Sequence, residues 1–132
     1  MSTPNKTFFE TAIDRIYQED SFSPKMYAQV RLSKAYMEKF YIEKIQLDDI
    51  AKTAFLSRFH YVRVFQRMYG VTPRAYLRDI RVLKAKKLLK KGEPITAVCF
   101  GVGYDSLPTF SSVFKKCTGY TPKDYQRINK AI

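Results

Sequence analysis

An all-α fold is what the sequence predicts, on three observations. The first is a frame that recurs: Ser57, Tyr61, Phe65, Met68, Gly70, Thr72-Pro73 and Tyr76 return 49 positions later as Ser106, Phe110, Phe114, Cys117, Gly119, Thr121-Pro122 and Tyr125. The second is its period: within each copy the apolar residues fall at i, i+3, i+4 and i+7, one face of a helix, and no strand of any length is legible. The third is punctuation, since each copy opens with a serine suited to cap a helix, closes that helix at a glycine and starts another with Thr-Pro. A period near 50 occurring twice indicates a duplicated supersecondary unit, because a solenoid needs three or more.

Taken in order, residues 1–6 read as a frayed end. Thr7 to Gln18 predicts a helix with Phe9, Ala12, Ile13 and Ile16 on one face, which docks on the domain or frays. A second reading of 7–18 is a dimer or partner contact. Glu19-Asp20-Ser21-Phe22-Ser23-Pro24 breaks it, and a longer helix runs from Lys25 to Tyr41 with Val30, Met37, Phe40 and Tyr41 towards the core. Leu47 to Ala54 is a short helix whose Asp48 and Asp49 suit the positive end of a helix dipole. The turn at Phe55-Leu56 delivers the helix capped by Ser57, with Tyr61, Val64, Phe65 and Met68 inward and Phe59, Val62, Arg63, Gln66 and Arg67 outward. Short helix, tight turn, longer helix with a partly basic front is the helix-turn-helix pattern.

Thr72 to about Lys91 predicts one helix of roughly 30 Å. Tyr76, Ile80 and Leu83 make one stripe on it, and Val82, Ala85 and Leu89 another on nearly the opposite side, as a helix shared between two subdomains requires. Its Arg78, Arg81, Lys84, Lys86, Lys87, Lys90 and Lys91 read mostly as a solvated face, with some near phosphates. Gly92 closes this helix and Glu93-Pro94 starts the next, Ile95 to Val102, with Ile95, Val98, Cys99 and Val102 inward. Gly101-Val102-Gly103 contains a GxG, but no strand precedes it, so Gly103 reads as the turn of a second helix-turn-helix. The second outward-fronted helix spans Ser106 to Thr118, and a closing helix runs from Thr121 to about Ala131.

Composition limits the function. A length of 132 residues suits one compact domain or two very small ones, and 45% apolar with 15% aromatic residues suffices for a core. The net charge of +12 is unevenly placed: residues 1–25 carry −1 and residues 26–132 carry +13. Such a domain seeks polyanions, either nucleic acid or an anionic membrane. No apolar run reaches membrane-spanning length and no secretion signal opens the chain, so the expected compartment is the cytoplasm. Cys99 and Cys117 both fall on apolar stripes and read as reduced core residues. His60 is the sole histidine, and no paired carboxylates or nucleophile–base set is visible. No enzyme activity, metal or cofactor is therefore expected.

The stretch LDDIAKTAFLSRFHYVRVFQRMYGVTPRAYL, followed by RVLKAKKLLKKGEPITAVCFGVGYDSLPTFSSVFKKCTGYTPKDYQ, resembles the AraC/XylS-type bacterial DNA-binding domain over about residues 26–128. The resemblance implies about seven helices in two helix-turn-helix subdomains, 26–71 and 92–128, joined by the long helix of 72–91; residues 1–25, outside it, are an N-terminal extension carrying the extra helix read from the pattern of 7–18. It implies a sequence-specific transcription regulator that enters adjacent major-groove segments of double-stranded DNA. Carried over by position, Phe59, Val62, Arg63 and Gln66 would read bases from the first helix, and Leu107, Pro108, Ser111 and Ser112 from the second. Arg63 is the best of these, because a guanidinium can bond guanine O6 and N7 together. Val62 stands where relatives often carry a polar side chain, and the serines reach less far than the long side chains common at the Ser112 place. The second half is thus expected to position more than to select. Arg58, His60, Arg67, Lys115 and Lys116 are the phosphate candidates. Activation, a contact with RNA polymerase and nucleoid association when bound follow from the resemblance alone. Relatives often carry a separate sensor domain, for which the 25 residues outside the DNA-binding region are too few. Two other readings stay open: a nonspecific nucleic-acid binder driven by charge, and an adaptor that binds protein through Phe59, Val62, Leu107 and Pro108.

Overall fold

The computed structural model describes residues 23–130, and among them are seven helices and no strand. They are α1 (Pro24–Phe40), α2 (Leu47–Thr53), α3 (Arg58–Tyr69), α4 (Pro73–Lys90), α5 (Ile95–Gly101), α6 (Leu107–Thr118) and α7 (Pro122–Lys130). The helix expected at 7–18, with its dimer or partner contact, lies outside the described residues, as does the closing helix beyond residue 130.

The predicted caps are where the helices start and stop. Ser57, Thr72, Ser106 and Thr121 accept from His60 N, Ala75 N, Thr109 N and Asp124 N at 3.3, 3.2, 3.4 and 3.1 Å. Each satisfies one backbone donor that the first helical turn would otherwise leave without a partner. Gly70 and Gly119 end α3 and α6 in the left-handed region, at φ 78° and 85°. Ser23 caps α1 in the same way.

Two hydrophobic clusters hold the helices. α1, α2, α3 and the first half of α4 close over Val30, Met37, Ile50, Tyr61, Phe65 and Leu77. The second half of α4, with α5 to α7, closes over Val82, Ala85, Leu89, Val98, Phe110 and Phe114. Removing each of the larger apolar side chains (valine, leucine, isoleucine, methionine or phenylalanine) from water contributes about 1.5–3 kcal/mol. Inside the first cluster the buried Ser33 hydroxyl donates to Val30 O at 2.5 Å and receives the Tyr61 phenol at 2.8 Å, tying α1 to α3. Burial raises the Tyr61 pKa, so the phenol stays protonated and can donate.

Several expectations about the core need correction. Phe40 is 37% exposed. It lies at the last turn of α1 and packs against the Tyr36 ring at a tilt of 45°, centroids 4.9 Å apart, rather than entering the cluster. Leu83 is 53% exposed: it points to the first stripe's side but sits almost a turn beyond Ile80, past the reach of the first cluster. Leu77, outside both predicted stripes, takes that place in the core. Arg81, assigned to the solvated face, is half-buried: its Nε donates to Tyr41 O at 2.8 Å and its Nη2 to Glu43 O at 3.0 Å. Burial lowers its pKa from the ordinary arginine value.

Candidate nucleic-acid interface

α3 is anchored on one side and open on the other. Tyr61, Val64 and Phe65 have no exposed surface, and Met68 packs on them at the edge of the cluster. With that stripe fixed, the remaining directions of a 3.6-residue turn must face out. Phe59 is 82% exposed, Arg63, Gln66, Arg58 and Arg67 are exposed, and Val62 and His60 are half-buried. Arg58, Phe59, Val62, Arg63 and Gln66 line a single open depression together with Leu47 from α2. All four base-reading candidates of the first half therefore share one surface.

Arg58 is already engaged. Its Nε and Nη2 donate to the two carboxylate oxygens of Asp48 at 2.8 and 2.7 Å. That hydrogen bond holds the Asp48 carboxyl below its ordinary pKa and raises that of Arg58. Both side chains remain more than half exposed, so the pair is a modest constraint that a phosphate can compete with.

α6 repeats the arrangement with different chemistry. Phe110 and Phe114 are fully buried and Val113 packs beside them. Leu107, Pro108, Ser112, Lys115 and Lys116 are exposed, and Ser111 is half-buried. Pro108 occupies the first turn, where no intrahelical donor is lost. Cys117 is exposed, against expectation, whereas Cys99 is buried. Met68, in the equivalent place of α3, is long enough to reach its cluster; a cysteine carries only Cβ and Sγ.

Sequence reasoning missed Leu47 and Arg74. Arg74 is exposed and lines a neighbouring depression with Leu47, Arg58, Val62, Thr72 and Pro73. The repeat carried a signal for it, since Thr72-Pro73-Arg74 returns as Thr121-Pro122-Lys123, a basic residue at the same register in both copies. Among the described residues no group of His, Cys, Asp or Glu could hold a metal ion, and no helix is long and apolar enough to cross a membrane.

Residues 50–128 match the family model described as a helix-turn-helix domain. The same fold occurs in a transcriptional regulator from Chromobacterium violaceum described among AraC-type DNA-binding domain-containing proteins, with TM-score 0.69 and 26% identity over 78% of this chain and 93% of that one. The chain belongs to the AraC-type helix-turn-helix family. The C-terminal domain of AraT, a response regulator from Geobacillus stearothermophilus, superposes with TM-score 0.73 and 30% identity over 82% of this chain and 88% of that one. The uncharacterized HTH-type transcriptional regulator YdeC of Bacillus subtilis (strain 168) is 41% identical over 90 residues, which is 67% of this chain and 31% of its own length. The chain thus spans about a third of that curated relative.

Proposed function

We propose that this chain is a sequence-specific DNA-binding transcription regulator, with residues 26–128 as its DNA-binding unit. α3 and α6 enter successive major-groove segments of one duplex. The observation that supports this best is the surface of α3: a helix immobilised by Tyr61, Val64 and Phe65 presents Phe59, Val62, Arg63 and Gln66 together in one open depression. Arg63 bonds a guanine edge, Phe59 and Val62 contact thymine methyls, and Gln66 bonds a neighbouring base. Leu107, Pro108, Ser111 and Ser112 form the shorter-reaching second front. Arg58, His60, Arg67, Lys115 and Lys116 contact phosphates, and Arg74 joins them. The role is binding rather than catalysis. Activation through a contact with RNA polymerase, in the bacterial cytoplasm, is the regulatory outcome the family membership favours.

The test is selection of bound duplexes from random DNA, followed by competition between a selected duplex and random sequence. A sequence-specific regulator prefers its own site by about 10³-fold or more. Arg63→Ala should weaken the selected duplex by roughly 10- to 100-fold, corresponding to about 1–3 kcal/mol of base discrimination, and leave random DNA nearly unaffected. A preference below about tenfold in the unaltered protein would instead mean a nonspecific binder held by charge.

A further inference from the structure

The long helix is not the only link between the two halves. At its middle, Arg81 donates to Tyr41 O, at the C-cap of α1, and to Glu43 O two residues on, which also accepts from Ile45 N at 2.9 Å. Gly103, in the turn ahead of α6, meets the same place from the other half. A Cβ at Gly103 would lie 2.7 Å from Tyr41 O, 3.0 Å from Ile42 O and 3.1 Å from Arg81 Nε, and its φ of 104° disfavours any other residue. The Tyr104 ring lies 5.5 Å from the Arg81 guanidinium carbon, and Tyr41 packs on both hydrophobic clusters. Three separate stretches of chain therefore converge on one guanidinium. Lys44 and Asp105 pair across the same seam at 2.9 Å, but both are largely exposed.

We infer that this seam is a positioning device: Arg81 and Gly103 fix the distance and rotation between the two DNA-reading helices, and with them the spacing of the bipartite DNA site the chain accepts. The inference rests on the two-helix reading proposed above. A single connecting helix leaves each half free to rock on its own packing. A second point of attachment, made of two hydrogen bonds and a backbone contact only glycine permits, removes that freedom. Two modules on a stiff link gain avidity only at the spacing the link matches, whereas a loose link tolerates many spacings at lower gain. Each inserted base pair rotates the second half-element by about 34°. Spacing preference is consequently a direct readout of the stiffness of the seam. A merely structural role for Arg81 would lower stability without altering that preference.

The experiment uses selected duplexes with zero, one or two base pairs inserted between the half-elements, and a duplex retaining only the element read by α3. The unaltered protein should lose roughly 100-fold in affinity at two inserted pairs. Arg81→Ala should bind the preferred spacing about tenfold more weakly, discriminate spacings by less than about threefold, and match the unaltered protein on the single element within about twofold. Lys44→Ala, which removes only the exposed pair, should leave the preference within about twofold. Arg81→Gln, which fills the space and keeps one donor, serves if Arg81→Ala melts below the assay temperature. Spin labels on the exposed native Cys117 and on Lys52→Cys give a readout without DNA: one narrow distance distribution, broadened by Arg81→Ala. Retention of both the spacing preference and the narrow distribution in that variant overturns the inference. If no duplex is preferred over random DNA, the proposed function fails, and the label distances still decide whether the seam is stiff.

Discussion

Phe55 has a φ of 57° and is 78% exposed, in the turn that leads into α3. A bulky residue in the left-handed region costs about 1–2 kcal/mol, and an exposed ring recovers little of that by packing. Glycine adopts the same backbone without the steric penalty, although it loses more freedom on folding, by about 0.5–1 kcal/mol. Phe55→Gly should therefore stabilise the protein by roughly 0.5–1 kcal/mol net and raise the thermal midpoint by about 2–6 °C. Thermal melts followed by circular dichroism check it, and a lower midpoint would show that the ring packs on something. A strained residue held exposed in a turn, four positions before the exposed Phe59, points to a use for its side chain. Weaker binding of the selected duplex by the otherwise more stable variant would locate that use at the DNA.

Elements with a single buried face are the ones the sequence describes well. In α3 the apolar spacing alone placed Tyr61, Val64 and Phe65 inside and Phe59, Arg63 and Gln66 outside, and the capping residues gave both ends. α4 was harder, because it serves two clusters in succession and periodicity says which direction a residue points but not which neighbour stands there. Leu83 points to the first side after that side has ended, and Leu77 sits between the stripes where the first half wraps further round. Arg81 was illegible for a related reason: its partners are backbone carbonyls of Tyr41 and Glu43, which carry no side-chain signature. The register of the repeat could have offered Arg74, but its place beside Leu47 and Arg58 depends on how α2 meets α4. The contrast within α4 is measurable. Leu89→Ala, at a site with no exposed surface, should cost about 2–5 kcal/mol in urea unfolding, and Leu83→Ala less than about 0.5 kcal/mol. Equal costs would mean that Leu83 has a partner which its exposure conceals.

At the scale of the whole molecule, charge acts in opposite directions on folding and on binding. A net +12 on 132 residues, with the excess confined to residues 26–132, repels itself in the compact state. Among the described residues, ion pairs such as Lys44–Asp105 and Arg58–Asp48 are largely exposed and offset little of that repulsion. Raising the salt from about 0.01 M to 0.1 M shortens the screening length from about 30 Å to about 10 Å. The thermal midpoint should consequently rise with sodium chloride, by a few degrees over that range. DNA affinity must fall over the same range, because each phosphate neutralised by the protein releases condensed counterions. With Arg58, Arg67, Lys115 and Lys116 as the cationic contacts, log K against log salt should have a slope near −3.6, and Arg74 would bring it to about −4.5. Fluorescence anisotropy across a salt series measures the slope. A value beyond about −8 would mean that the lysines of α4 lie against the duplex too, making the connecting helix part of the interface rather than a spacer. A midpoint that falls with salt would mean that local ion pairs outweigh the net repulsion, and the basic surface would then be stabilising the fold instead of straining it.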